Sequence, residues 1–394
     1  MRWLVLARGS GELYFYSTTL VAFQQQRGLD LTQMFLLESV LSAAFWLADI
    51  PTSLLADRLG YRRVMVLGRV LGLAGMALFA SAHGIWLFCL AEVLGGVAMA
   101  SVAGCESALV YGSLPPDQRA TRSGDAFTLL ATASSAGMMV GLFTGSFLGA
   151  QSPSLAAYAS IAPAAVSLLA VLRLPAPDPL LAVPADRINA RALLVTAWRT
   201  VRGRGRLSLL SLFRSAAFTV ANSVFWYNQL YFADAGIPLF LFGPLMAAAT
   251  ALQFVVMVRM PAWRRRVGSA VLLALSCAVP GLCFIALAWL RSPLAVVPFV
   301  AGIVAFSAWQ RPLVETELND NIPDRSRATT LSALSLVGSL AAMALNPGVG
   351  HVGDFGLRTT GLVLGGALVA LGAVAPLLMR ARRKSPVGSA LPGG

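Results

Sequence analysis

Long apolar runs separated by short polar breaks make up nearly the whole chain. Each is close to the ~20 residues a helix needs to cross a hydrocarbon core. They fall near 4–26, 32–55, 64–82, 85–110, 124–149, 155–173, 208–231, 239–258, 268–290, 294–316, 328–346 and 358–379. The pattern predicts an all-α membrane protein of twelve transmembrane helices. An even number of spans places both termini on one side.

Composition agrees with this picture. Of 394 residues 57% are hydrophobic and 12% charged, and the mean hydropathy is +0.73. Soluble domains carry roughly 25% charged residues, so this chain cannot cover itself with a solvated surface and must face lipid. The net charge of +13 would suggest nucleic acid in a soluble protein. Here the basic residues, all arginine except Lys384, sit in clusters between the apolar runs, which fits membrane topology and argues against a nucleic-acid partner. Cys89, Cys105, Cys277 and Cys283 lie inside apolar runs without metal-ligand spacing, and are read as small core hydrophobes with no disulfide. Met1-Arg2-Trp3 leads directly into the first run with no small-residue cleavage site, so the N-terminus is expected to be retained.

Positive residues accumulate in cytoplasmic loops. With the N-terminus inside, 23 of the 30 basic residues are cytoplasmic, three (Arg27, Arg291, Arg358) fall in outer loops, and four (Arg8, Arg69, Arg214, Arg311) lie within spans. Both termini are therefore expected in the cytoplasm, and the protein in the cell's inner membrane.

The chain also repeats itself. Leu114-Pro115-Pro116-Asp117-Gln118-Arg119-Ala120-Thr121 is echoed by Ile322-Pro323-Asp324-Arg325-Ser326-Arg327-Ala328-Thr329, an offset of 208 residues, and the same offset carries Arg58-Leu59-Gly60 onto Arg266-Val267-Gly268. Two parallel six-helix bundles follow, residues 1–173 and 207–381, a duplication that places a substrate site between halves. The linker 174–206 contains Pro175, Pro177, Pro179 and Pro184, which exclude a continuous helix through 175–184, and then an arginine-rich stretch from Ile188 to Arg206 in which Ile188 to Val201 interleaves apolar residues with the arginines. That stretch reads either as a helix at the membrane interface or as a solvated linker. Residues 382–394 form a cytoplasmic tail.

The loop after the second span, Asp49-Ile50-Pro51-Thr52-Ser53-Leu54-Leu55-Ala56-Asp57-Arg58-Leu59-Gly60-Tyr61-Arg62-Arg63, resembles the signature loop of the major facilitator superfamily, G-x-x-x-D-R-x-G-R-R, with Ser53 in place of the first glycine. The resemblance implies that fold, and a gate role for Asp57 and Arg58 in locking the cytoplasmic side; Asp49 and Arg62 belong to the same gate region. Independently, a carboxylate at Asp57 can meet the N-terminal end of a neighbouring helix, where the macrodipole favours negative charge, and Arg58, Arg62 and Arg63 suit the anionic inner leaflet. In the fifth span Gly137, Gly141, Gly145 and Gly149 share one helix face and allow close helix packing. They resemble the superfamily's antiporter motif, with Leu142 and Ser146 departing from it.

Ionisable groups inside spans are costly and mark functional candidates. Arg8 and Glu12 are spaced to pair, and Glu12 lies ~12 Å beyond Leu4 at ~1.5 Å per residue, near the middle of a core ~30 Å thick. Low dielectric favours the protonated form of a carboxylate, the chemistry a proton-coupled carrier needs, so Glu12, Glu92 and Glu38 are the candidate proton carriers. A permanent bridge from Glu12 to Arg8 or Arg214 is the competing reading. Glu106, Arg311, Glu315 and Glu317 lie near the cytoplasmic boundary as gate or snorkelling groups. Tyr16, Gln24, Trp46, Arg214, Asn222, Trp226, Gln229, Gln253, Trp309, Gln310 and Arg311 could line a mixed cavity for an amphipathic or aromatic molecule, or serve at lipid interfaces or in packing.

His83 and His351 lie far from any nucleophile motif and there is no phosphate-binding Gly-Lys-Ser/Thr loop, which argues against an enzyme or an ATPase; neither cofactor nor metal is expected. Three functions remain: a proton-coupled exporter of drugs or metabolites, favoured by closest resemblance to bacterial efflux members; an uptake symporter for a nutrient; and a non-transporting receptor or scaffold. The expected partners are a small-molecule substrate, protons and membrane lipid, with the chain as a monomer.

Overall fold

A backbone surrounded by lipid must satisfy its hydrogen bonds internally, and helices do so within each apolar run. The computed structural model describes residues 1–112, 119–174, 205–322 and 327–380. Those residues are helical with no strand, and eleven helical segments are long and apolar enough to cross a membrane. The first span, Arg2–Gln26, is interrupted and completes the expected twelve. Spans 2 to 5 are Leu31–Leu59, Tyr61–Ser81, Ile85–Gly112 and Arg119–Gln151; span 6 runs as Pro153–Ala159 and Ile161–Leu172. Span 7 runs as Gly205–Asn222 and Val224–Asp234, and spans 8 and 9 are Phe242–Val267 and Ser269–Leu287. Span 10 runs as Pro293–Ser307 and Gln310–Asp320, and spans 11 and 12 are Arg327–Asp354 and Leu357–Arg380. The stretch 188–201, the tail 382–394 and most of both copies of the repeated loop lie outside the described residues.

The 208-residue repeat is visible in the turns. Gly60 and Gly268 each join one span to the next at φ of 91° and 84°, where a side chain would be strained. Each donates its N–H to the preceding helix, Gly60 to Ala56 at 2.9 Å and Gly268 to Arg264 at 3.0 Å. Gly28 and Gly236, at φ of 84° and 72°, form a second pair at the same offset.

Burial divides the molecule into two ends. At the end away from the termini, the distal end, one hydrophobic core joins both halves, with Phe23 and Phe35 of the first half alongside Tyr227, Phe242 and Phe284 of the second. At the terminal end there are two separate cores. One, around Leu4, Met65, Leu109 and Leu130, belongs to the first half; the other, around Leu210, Phe213, Trp309 and Leu334, belongs to the second.

Polar contacts tighten the distal seam. Asp30 caps span 2, with Gln33 completing a capping box. From the other half, the Asp354 carboxylate at the end of span 11 accepts from Leu31 N at 2.9 Å, Thr32 N at 3.2 Å and the Thr32 hydroxyl. Anionic groups at a helix N-terminus are stabilising, so span 11 closes on the positive end of span 2. Ser39 donates to Met343 O at 2.9 Å, Phe35 stacks on Tyr227 at 5.6 Å, and Phe147 of span 5 meets Phe240 in the turn before span 8.

Candidate functional site

Gly9, Ser10 and Gly11 are poor helix formers, and the first helix of span 1 stops at Glu12 (φ −103°, ψ 3°). Tyr14 is extended, and a 3-10 turn at Phe15–Thr18 leads into Leu20–Gln26. Backbone freed by such a break needs partners. Phe15 N donates to Ser160 Oγ at 3.0 Å, and Ala7 O accepts from Ser167 Oγ at 2.7 Å. Gln229 reaches over from span 7: its Oε1 accepts from Val21 N at 3.0 Å and its Nε2 donates to Ser17 O at 3.1 Å. The glycines of span 5 lie against this segment. A Cβ at Gly137 would strike the Gly9 carbonyl, one at Gly145 the Phe15 carbonyl, and one at Gly149 the Thr19 side chain, while Gly141 abuts Tyr14.

Beside the break a cavity of about 540 Å³ opens among spans 1 to 4, within the ~300–1,000 Å³ of small-molecule sites. Its aromatic wall is Tyr14, Tyr16, Phe45 and Phe79, its ionisable groups are Arg8, Glu12, Arg69 and Glu92, and Gly68, Gly72, Gly75 and Gly95 leave the space. Arg8 lies 3.3 Å from Glu12 and 3.3 Å from Glu106, so one guanidinium holds two carboxylates. Glu92 and Glu38 are half-buried. The second half repeats the motif of a first-helix arginine facing a fourth-helix glutamate: Arg214 lies 3.4 Å from Glu315, which also takes Arg311 at 2.7 Å, and Arg206 pairs with Glu317 at 2.6 Å. Glu12 is thus paired with Arg8, and Arg214 with Glu315.

The remaining sequence candidates separate by location. Tyr16 lines the cavity. Trp226 packs at a tilt against Phe35, ring centroids 5.4 Å apart, and borders a smaller cavity of about 130 Å³ at the distal seam. Gln24 and Gln229 are buried there. Trp309 is fully buried between Trp263 and Phe306, its Nε1 donating to Val256 O, and Gln310 donates to Ser276 O at 2.9 Å; both sit inside the second half rather than on the cavity wall. Trp46 meets Phe45 edge-on, Asn222 ends the first helix of span 7, and Gln253 and Asp49 are half-buried. Asp57 accepts from Tyr61 OH at 3.1 Å, Arg58 is exposed, and Arg62 donates to Leu172 O at 2.6 Å. Two residues come forward from the structure alone. Arg69 enters the cavity wall, and Asp354 clamps the distal seam; for Arg69 the only sequence signal is a lone charge in an apolar run.

The family model for the Major Facilitator Superfamily matches residues 5–346. A stretch of 94 residues is 39% identical to the Multidrug resistance protein MdtH of Cronobacter sakazakii (strain ATCC BAA-894), covering 24% of this chain and only 22% of that relative's length. Among solved structures, the nucleoside transporter NupG superposes with a TM-score of 0.81 at 16% identity, over 97% of this chain and 100% of that one. A bacterial homolog of the human lysosomal transporter Spinster, in an inward-facing and unoccupied conformation, superposes at 0.72 with 18% identity over 96% of each chain. A POT family transporter does so at 0.70 with 14% identity over 96% of each. At these identities the superpositions speak for the fold.

Proposed function

Because the chain belongs to the major facilitator superfamily, we propose that it is a proton-coupled secondary transporter that moves an amphipathic or aromatic small molecule out of the cell by alternating access. One observation carries this reading: a core shared at the distal end and divided at the terminal end, with an aromatic and ionic cavity in the first half, among spans 1 to 4. That is the shape of a carrier closed on one face and open on the other. The arginine-rich loops place the open, terminal end in the cytoplasm, with the halves 1–173 and 207–381 rocking against each other as a monomer in the inner membrane. The stretch similar to MdtH supports efflux as the direction.

Glu12 is the proton carrier in this proposal, with Glu92 and Glu38 as further candidates. It is held by Arg8 in the present state, and a change of partner as the halves rock would alter how readily it takes a proton. Asp57 and Arg58 close the cytoplasmic end: spans 2 and 11 are antiparallel, and Asp57 lies at the end of span 2 as Asp354 lies at the end of span 11. When the terminal end shuts, the Asp57 carboxylate can cap span 11 as Asp354 now caps span 2.

Everted membrane vesicles energised by respiration, with a trapped pH-sensitive dye, test the coupling. Addition of successive solutes from a panel of amphipathic drugs is expected to release protons from vesicles containing the wild-type chain and not from those containing Glu12→Gln. Proton uptake into the lumen together with solute would instead identify an importer, and no solute-dependent proton movement would contradict a proton-coupled carrier.

A further inference from the structure

The cavity contains two arginines that are treated differently by their surroundings. Arg8 is saturated by Glu12 and Glu106, each 3.3 Å away. Arg69, on the glycine-lined face of span 3, lines the same cavity and has no ion pair among the described residues, and its Nε is buried without a hydrogen-bond partner. Its guanidinium lies against Gly11, where a Cβ would come within 2.5 Å of Nη1; the missing side chain at Gly11 is what leaves room for it. The four charges of Arg8, Arg69, Glu12 and Glu106 cancel, so Arg69 is balanced through space. The hydrogen bonds that would satisfy it are nonetheless unmade, because both carboxylates are engaged by Arg8. A guanidinium offers five N–H donors in a planar fork matched to a carboxylate or phosphate.

Resting on the transport reading, we infer that Arg69 is the binding residue for an anionic group of the substrate, and that the substrates are amphipathic organic acids. The acid group meets the guanidinium while the apolar body lies along Phe45, Met76, Phe79 and Met99. Span 3 packs on span 4 so that Gly68 meets Ala98 and Ser101, and Gly75 meets Ala91 and Leu94. Glu92 is therefore displaced about six residues from Arg69, ~9 Å along the helices at ~1.5 Å per residue. The anionic pole of the substrate is thereby confined to the Arg69 end of the cavity.

The test compares acids with their neutral isosteres. The full chain in phosphatidylcholine nanodiscs, which supply no anionic headgroup to compete, is titrated with 2-naphthoate, indole-3-acetate and 4-phenylbutyrate and with the carboxamide of each, binding being read from the rise in melting temperature. At least one acid is expected to bind about tenfold or more tightly than its amide, in line with the greater strength of hydrogen bonds to charged groups, and Arg69→Gln is expected to bring that acid to the level of its amide. Should Arg69→Gln fail to fold, Arg69→Lys is expected to reduce the preference several-fold, because an ammonium cannot reproduce the fork. No acid favoured over its amide in the wild type, or a preference unchanged in the variants, overturns the assignment; an arginine that serves only Glu12 would give the second result. Binding is read without a gradient, so an acid preference with no flux counts against the transport reading alone, and flux of uncharged solutes with no acid preference counts against this assignment alone.

Discussion

Glu12 and the span 5 glycines bear on transport in different ways. Glu12 shares Arg8 with Glu106 at equal distances, so losing its charge leaves Arg8 still paired. Glu12→Gln is therefore expected to keep the protein folded and able to bind substrate while removing gradient-driven transport and its pH dependence; wild-type pH dependence in this variant would pass the role to Glu92. Gly145 is a packing position. Its missing side chain admits the Phe15 carbonyl, so Gly145→Ala forces span 5 away from the broken span 1, and over-packing of this kind costs about 1–3 kcal/mol. A lowered melting temperature in detergent is the expected readout, with Gly124→Ala, where nothing lies within 4 Å of an added Cβ, as the neutral comparison. The in-span charges were legible as residues, since a lone arginine or glutamate stands out in an apolar run. Their partners were legible only where they share a helix, as Arg8 and Glu12 do. Arg8 and Glu106 are 98 residues apart, and no spacing rule joins them. Trp309 and Gln310 show the converse limit: residue types that suit a cavity wall also suit a helix-packing core, and only their neighbours decide.

Among the elements, hydropathy located all twelve spans, because lipid leaves little choice of where a helix runs, but it ended spans 8 and 11 at 258 and 346 where the helices continue to Val267 and Asp354. It also hid the break in span 1. The Gly9-Ser10-Gly11 signal is present, but the apolar run continues through it, and the partners that satisfy the break come from spans 6 and 7. The pairing of spans 2 and 11 was likewise invisible, since Asp354 and Leu31 N are joined by folding rather than by sequence proximity. A carboxylate at a helix N-terminus contributes about 0.3–1 kcal/mol when exposed and up to ~2 kcal/mol when partly buried. Asp354 is exposed, so Asp354→Asn is expected to weaken the distal seam and shift the population towards opening there by about two- to fivefold, since ~1.4 kcal/mol corresponds to tenfold. A cysteine pair at Thr32 and His351, which face each other across the seam, would report this as slower crosslinking; unchanged crosslinking would show that apolar packing alone holds the distal end.

For the molecule as a whole, arginine placement gives an orientation that labelling can check. An impermeant thiol reagent is expected to modify a cysteine at the exposed Ser292, in a distal loop, in intact cells, and one at the exposed Arg265, at the terminal end, only after permeabilisation. The opposite pattern would invert the topology. The repeat was readable in advance from two short matches at one offset, and the paired glycine turns at 60 and 268 give it a physical basis. Which end is open was not readable, because a carrier sequence must stabilise both states and its apolar pattern is the same in each. The most direct test of alternating access is a pair of distances measured by electron spin resonance in nanodiscs. Labels at Asp125 and Arg265 span the terminal ends of spans 5 and 8, and labels at Gln151 and Phe240 span their distal ends. Across a change of pH or addition of a transported solute, the first distance is expected to shorten as the second lengthens; a terminal distance that never changes, or two distances that grow together, would contradict the account.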